Sequence, residues 1–120
     1  MSQVIKAQWE IPQATYEFLS GANLRKGGKV QKAVDSAVVR YCLPYCPWKT
    51  GALARSPFAA SHIGEGEVVY DTPYARRMYY NPQYHFRKDV NPMAGAYWFE
   101  RMKADHTNDI LEEAMRVAFD

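Results

Sequence analysis

The side chains best suited to catalysis or metal binding are two cysteines and three histidines. They are Cys42, Cys46, His62, His85 and His106. A thiolate nucleophile needs a base and an orienting group, and a structural zinc site needs four ligands at regular spacing. The histidines are scattered without such spacing. We therefore predict no metal site, and we expect no disulfide between the cysteines because Pro44 lies between them and a reducing compartment disfavours it.

A carboxylate–imidazole pair is the other arrangement that the sequence offers. Asp105 precedes His106, and Asp109 follows three residues later. On a helix, however, adjacent residues point away from each other. Without a nucleophile, a base and an orienting group together, we predict no catalytic residue, no cofactor and no enzymatic activity.

Aromatic residues are the unusual part of the composition. They make up 14% of the 120 residues and include nine tyrosines. A tyrosine buries a large ring and keeps a polar tip, so it suits surfaces that are sometimes wet and sometimes covered. Aromatic residues and arginine are enriched at the centres of protein interfaces. A small core built from aromatic residues remains the alternative.

The charge is unevenly distributed, although the net charge is only +2. Residues 1–99 contain 12 Lys or Arg against 7 Asp or Glu, whereas residues 100–120 contain 3 against 6. Oppositely charged ends suit a head-to-tail contact between identical subunits. An acidic helix face exposed to solvent would give the same pattern.

Three local strings carry a resemblance to a known family. They are PWKTGAL at 47–53, PYARRMYYNP at 73–82 and NPMAGAYWFERMK at 91–103. In order and spacing they resemble the small minor capsid proteins of long-tailed bacteriophages that join head to tail. The resemblance runs from about Lys29 to the C-terminus and is weak before Lys29.

The resemblance implies an α+β fold and a place in a ring at the phage neck, stacked between portal and tail. The implied partners are copies of the chain itself and neighbouring neck, connector and tail proteins, and genome DNA passes through the channel without specific recognition. A tail-completion or tail-terminator protein of related fold is one alternative. A small nucleic-acid-binding module that uses basic and aromatic surface residues is another.

From these patterns we predict a set of interface residues that combine aromatic rings with charge. They are Tyr74, Arg76, Arg77, Tyr79, Tyr80, Tyr84, Phe86, Arg87, Glu112 and Glu113. The loop around 84–87 is the centre of this prediction, because it combines rings and a cation without regular periodicity.

The length of 120 residues predicts a single domain over residues 1–120, with 1–28 as a flexible or extended segment, and the resemblance implies that this domain is α+β. Residues 4–11 alternate loosely and predict a strand. Apolar residues at steps of three and four predict a central helix over about 29–43. That helix and a C-terminal helix are expected to pack against a small, mainly antiparallel sheet.

The second half of the chain carries two further predictions and one ambiguity. Residues 52–63 and 67–71 are predicted to form a hairpin around the Gly64-Glu65-Gly66 turn. Residues 74–80 fit a strand or a helix equally well. Asn91-Pro92 is predicted to begin a helix over about 92–119, which the polar residues 105–109 bend or divide into two.

Localisation follows from hydropathy and from the resemblance. No apolar run approaches the roughly 20 residues that span a bilayer, and the N-terminal residues lack the apolar core of a signal peptide. We therefore expect synthesis in the host cytoplasm, no membrane contact, and a final place in the virion.

Overall fold

A computed structural model describes residues 3–8 and 28–118 of the chain. In chain order its elements are strand β1 (Gln3–Gln8), helix α1 (Lys29–Cys42), a short 3-10 helix (Leu43–Tyr45), helix α2 (Ala52–Ala60), strand β2 (Glu67–Thr72), helix α3 (Ala75–Tyr79) and helix α4 (Trp98–Ala118). Helix α4 packs on α1, and the two strands form an antiparallel sheet. The predicted α+β class is confirmed.

The sheet covers one side of the core. β1 pairs with β2 along its whole length, with Ile5 opposite Tyr70. Alternate residues of β2, namely Val68, Tyr70 and Thr72, are buried, as expected when one face of a sheet packs on a core. The strand predicted for residues 4–11 is confirmed as far as residue 8, and its last three residues lie outside the described part of the chain.

The predicted hairpin is wrong. Residues 52–60 form helix α2, and β2 pairs with β1 instead. Gly51 enters the helix with a φ of +85°, and the side chains of Leu53, Ala54 and Pro57 are buried. Those positions have helical spacing, but alanines fill half of the others, and alanine favours a helix without marking a face. Periodicity over so short a segment therefore did not separate helix from strand.

Helix α2 nevertheless bonds the edge of β2 where a hairpin partner was expected. The hydroxyl oxygen of Ser56 accepts the N–H of Asp71 at 3.2 Å. The hydroxyl oxygen of Ser61 accepts the N–H of Val69 at 2.8 Å. Ser56 also donates to the carbonyl of Leu53 at 2.8 Å, which lacks its helical donor because the residue four positions on is a proline. These two side chains thus bond N–H groups on the edge of β2 that the backbone of a neighbouring strand would otherwise have to bond.

The central helix and the ambiguous segment are now defined. The predicted helix over 29–43 is confirmed as α1, which ends at Cys42, two residues before Pro44. Residues 75–79 form helix α3, so the segment left open between strand and helix is helical. The two buried residues of α3, Ala75 and Tyr79, stand four apart, which is the spacing of one helix face.

The C-terminal helix begins later than predicted, at Trp98. Asn91 does not cap it. Its side-chain amide donates instead to the carbonyls of Leu43 at 2.8 Å and Cys46 at 3.0 Å. Because that amide is used to hold the 3-10 helix, residues 91–97 form a connecting turn.

A bend in α4 confirms the interruption predicted for residues 105–109. His106 has a φ of −124° and a ψ of 15° inside the helix. The hydroxyl of Thr107, the next residue, donates to the carbonyl of Lys103. Such a bond from a side chain to the preceding turn competes with the helical backbone bond and bends helices.

A buried carboxylate fixes the turn before β2. Asp35 on α1 is 1% exposed. It accepts the N–H of Gly64 at 2.7 Å and of Gly66 at 3.0 Å, and the amide of Gln31 donates to it at 3.0 Å. Both glycines have positive φ, 108° and 83°, which residues with a Cβ rarely adopt. The position of β2 relative to α1 therefore depends on one side chain.

We expect Asp35→Ala to lower the free energy of unfolding by about 3 kcal/mol, because it leaves buried N–H groups without an acceptor. Asp35→Asn should cost less than half as much, since its carbonyl oxygen can serve both glycines while the Gln31 amide rotates. Ser36→Ala, on the exposed side of α1, is the matched control. Urea denaturation checks the order; equal costs for the Ala and Asn variants would contradict it.

Candidate functional site

The two cysteines are buried in the core and are not bonded to each other. Burial raises the pKa of the Cys42 thiol to about 12, and burial raises the pKa of Cys46 still further. A thiol becomes a nucleophile or a metal ligand only as a thiolate. Both groups therefore act as small apolar side chains near neutral pH.

The polar residues of the α4 bend contact neighbouring tyrosines and each other. Nδ1 of His106 lies 2.8 Å from a carboxylate oxygen of Asp109, and its ring stacks on Tyr41 at 4.6 Å. The hydroxyl of Tyr45 donates to Asp105 at 2.6 Å. Asp105 and His106 turn to different partners, as predicted for adjacent residues, whereas a carboxylate–imidazole pair does form between His106 and Asp109. Burial, reinforced by the bond to Asp105, raises the pKa of Tyr45 to about 12.

Residues 3–8 and 28–118, the described part of the chain, contain neither a metal-binding cluster nor a membrane-spanning helix. No set of three or more His, Cys, Asp or Glu side chains there is grouped closely enough to bind a metal ion. No helix there is both long enough and apolar enough to cross a membrane.

One concave surface is a groove that we call the Trp48 groove. It has a volume of about 560 Å³ and is lined by residues 47–51 and 85–87 with Leu53, Tyr74 and Met78. Its inner surface is largely apolar, and Lys49 and Arg87 lie at its rim. This groove brings together three predicted interface residues (Tyr74, Phe86 and Arg87) with most of the string at 47–53.

Gly51 and Arg55 shape one wall of the Trp48 groove. A Cβ at Gly51 would lie 2.7 Å from the Trp48 ring, and the φ of Gly51 is +85°. The guanidinium of Arg55 lies over the Trp48 ring at 5.7 Å and donates to the carbonyl of Thr50 at 2.8 Å. The turn therefore needs glycine for both space and backbone conformation, and the arginine fixes the indole in place.

Two further grooves lie beside aromatic side chains. The Tyr84 groove has a volume of about 380 Å³ and shares His85 and Phe86 with the Trp48 groove. The Tyr80 groove, of about 560 Å³, lies between β1, α3 and the start of α4. Tyr97 connects them, because it lines the Tyr84 groove and its ring lies 6.2 Å from that of Tyr80.

We use the name aromatic face for the rings of Tyr80, Tyr84, Phe86 and Tyr97, which line these grooves. Tyr84 lies 6.4 Å from Phe86. The exposed fractions are 50% for Tyr80, and 38% for both Tyr84 and Tyr97. Aromatic rings are enriched where protein surfaces meet, so this face is a candidate interface.

The remaining predicted interface residues are divided between surface and core. Arg76 and Arg77 are exposed, and the guanidinium of Arg76 lies 5.4 Å from the Tyr80 ring. Tyr79 is 3% exposed and packs edge-on against Trp98 at 4.6 Å. Tyr79 therefore belongs to the core of the chain.

The two acidic residues of the prediction also differ. Glu113 accepts two bonds from Arg40 on α1, at 2.6 and 2.5 Å. Glu112 is exposed and lies 3.6 Å from Arg116 one turn further along α4. The α4–α1 contact therefore uses Glu113, whereas Glu112 faces solvent.

Sequence reasoning missed four contributors to this surface. Trp48, Lys49, Met78 and Tyr97 line the grooves but were not among the predicted interface residues. The signal was available for all four of them. Trp48 and Lys49 lie in the string at 47–53, Met78 lies in the string at 73–82, and Tyr97 lies in the string at 91–103.

The sequence matches the family described as "Minor capsid protein" over residues 5–118. The match begins well before Lys29, so the family resemblance includes most of β1, which the sequence analysis had left out. No characterised protein and no solved structure matches the chain.

We expect the double variant Tyr84→Ala, Phe86→Ala to remain folded, because both rings lie on loops at the surface. Tyr79→Ala should cost about 3–5 kcal/mol, as large-to-small changes in a core do. Thermal and urea denaturation of the two purified variants checks this contrast. A double variant that loses its cooperative transition would place those rings in the core.

We expect the folded chain to lose stability in alkali. The ordinary pKa of a cysteine is 9.0, and that of Cys42 in the fold is about 12. The unfolded chain loses this proton first, so the contribution is complete below pH 9 and falls as the pH rises towards 12. Tyr45, raised from 10.0 to about 12, acts in the same direction. Urea midpoints between pH 7 and 11 measure the fall, and Cys42→Ala should flatten it; an unchanged slope would contradict the assignment.

Proposed function

The chain belongs to the minor capsid protein family of bacteriophages, and we propose that within the virion it is a head–tail connector protein. In this proposal copies of the chain form a ring at the neck, stacked between the portal side and the tail. Neighbouring neck and tail proteins contact the ring from above and below. Genome DNA passes through its channel without specific recognition.

The observation that carries the proposal is the group of exposed aromatic rings that lines or adjoins the Tyr80 and Tyr84 grooves. A ring subunit needs two unlike surfaces that fit each other, and further surfaces for the rings above and below. Tyr80, Tyr84 and Tyr97 lie along loops and helix ends, which reach outward from a scaffold more readily than the middle of a sheet does. Large rings on such positions supply contact area with little loss of side-chain entropy.

The groups that could perform chemistry support a structural role. Cys42 and Cys46 are buried with raised pKa values. His106 packs on Tyr41. These side chains are used to hold α4 and the 3-10 helix on α1, so their presence in the sequence is accounted for by packing.

Ring closure explains why each contact can be modest. A heterologous contact repeated around an axis closes when the rotation per subunit divides the circle. The last contacts then form within one particle at high effective concentration. Since a channel that DNA must traverse gains nothing from strong base contacts, the weak net charge of +2 is compatible with this position.

The joining role predicts a specific assembly defect. A phage that lacks this gene should still make filled heads and complete tails, because the protein acts only where the two meet. Electron micrographs of lysates should show heads beside free tails, and a plasmid copy of the gene should restore complete particles. Normal virions, or a lysate without heads, would contradict the joining role. Tails of abnormal length or with unfinished ends would favour the tail-terminator or tail-completion alternative.

A further inference from the structure

The Trp48 groove combines an apolar interior with a cationic rim. Trp48, Leu53 and Met78 supply apolar surface inside it. Lys49 and Arg87 lie at the rim. Asp89 offsets part of this charge, since it accepts a bond from Arg87 at 2.7 Å, and that bond lowers the pKa of the Asp89 carboxyl.

The guanidinium of Arg55, stacked on Trp48, adds a third cation next to the groove. An occupant that fits this surface carries carboxylates beside an apolar side chain. Such an occupant would place negative carboxylates against the positive groups of the groove, as electrostatic complementarity between two surfaces requires.

The exposed side of α4 provides that combination on the same chain. Asp105, Asp109 and Glu112 follow one another at steps of four and three, and all are exposed. Asp109, Glu112 and Met115 follow the bend at His106, and residues at steps of three lie on one face of a helix; Asp105 lies just before the bend. Met115, three residues further on, is 37% exposed. We call these four residues the α4 stripe.

The bonds that the α4 stripe makes within the chain leave it acidic. Asp105 accepts a bond from the neutral hydroxyl of Tyr45. Asp109 lies beside His106, and Glu112 lies 3.6 Å from Arg116 with both side chains about 70% exposed. An exposed ion pair of this geometry contributes little, so Glu112 can exchange its partner at low cost.

We infer that the α4 stripe of one copy docks on the Trp48 groove of the next copy, with Met115 inside the groove and the carboxylates at its cationic rim. The inference rests on the proposed function and names the ring contact. None of the residues that line the groove belongs to α4, so the two surfaces are separate on each subunit. A contact between two unlike surfaces propagates from copy to copy, as a ring requires.

The charge distribution of the whole chain supports this occupant. Residues 100–120 contain the acidic excess and residues 1–99 the basic excess. Copies therefore attract each other when the end of α4 approaches the groove, and repel when two grooves or two α4 stripes meet. Such repulsion selects the head-to-tail arrangement over a symmetric dimer.

A charge-swap series tests the contact in the phage that lacks the gene, with each variant supplied from a plasmid. The groove variant is Lys49→Glu with Arg87→Glu, and the helix variant is Asp109→Lys with Glu112→Lys. Each alone sets like charges against each other at the contact, which we expect to weaken it by roughly 100-fold. The combined variant, with all four changes, restores opposite charges at every contact around the ring.

We expect both double variants to lower the titre of infectious particles and the combined variant to recover it. The control, Lys32→Glu with Glu65→Lys, changes exposed charges of both signs outside the groove and the stripe and should leave the titre unchanged. Recovery identifies the two surfaces as partners, because a variant that failed to fold would not be rescued by further changes. Two harmful double variants without recovery mean that another virion protein or DNA occupies the groove, and harmless double variants mean that nothing does; either overturns the inference.

Cross-linking in finished particles gives an independent measurement. A chain with Lys49→Cys and Glu112→Cys should form covalent multimers with a short thiol cross-linker, while either single variant should not. The native thiols do not interfere, since both are buried. The particle defect of the gene deletion tests the joining role separately. If the deletion gives separated heads and tails but the combined variant does not recover the titre, the joining role stands and the contact is rejected. If the combined variant recovers the titre but the deletion gives another defect, the contact stands and the joining role is rejected.

Discussion

The guanidinium of Arg101 joins the two loops on which the surface of this protein is built. It donates to the carbonyls of Ala96 and Met93, both at 2.9 Å, and to that of Tyr45 at 3.1 Å. It also lies over the Tyr45 ring at 5.4 Å. Three different nitrogens of the planar guanidinium make these bonds, a spread of donors that the compact ammonium of lysine does not match. Gly95 is close by, and its N–H donates to the same Tyr45 carbonyl at 3.2 Å.

This clamp determines where α4 begins and which residues face outward. Tyr97 is held at a φ of +53°, a conformation that costs energy for a residue with a side chain. Its N–H donates to the carbonyl of Tyr79 at 3.0 Å. The result is that Tyr97 projects to the surface while Trp98, next to it, is buried between Tyr79 and Tyr70. The boundary between core and aromatic face thus runs between two adjacent residues.

The high aromatic content has two explanations, an aromatic core and an aromatic interface surface, and both apply. Tyr45, Tyr70, Tyr79 and Trp98 fill the core. The exposed rings of Tyr80, Tyr84 and Tyr97 lie outside it, and Tyr97 adjoins the segment that Arg101 binds at Met93 and Ala96. Composition alone does not divide the tyrosines, because their rings suit either environment.

The sequence by itself determined the elements whose pattern is long and amphipathic. The 14-residue α1 was predicted almost to the residue, since apolar side chains repeat at three and four over its whole length. The bend in α4 was also readable from polar residues at 105–109, and the family from strings that the match over residues 5–118 confirms. The strings at 47–53 and 91–103 each contain a residue with positive φ, namely Gly51 and Tyr97.

Only the tertiary structure decided the parts that depend on bonds between distant residues. Asn91 reads locally as a helix cap, but its amide binds carbonyls at Leu43 and Cys46 instead. The segment that pairs with β2 was placed wrongly because Ser56 in helix α2 and Ser61, the residue after that helix, satisfy the strand edge. The Trp48 groove likewise joins residues 47–53 to residues 85–87, more than thirty positions apart. Local propensity reports what a segment favours alone, whereas these choices were made by polar groups that gain their partners only when the chain is folded.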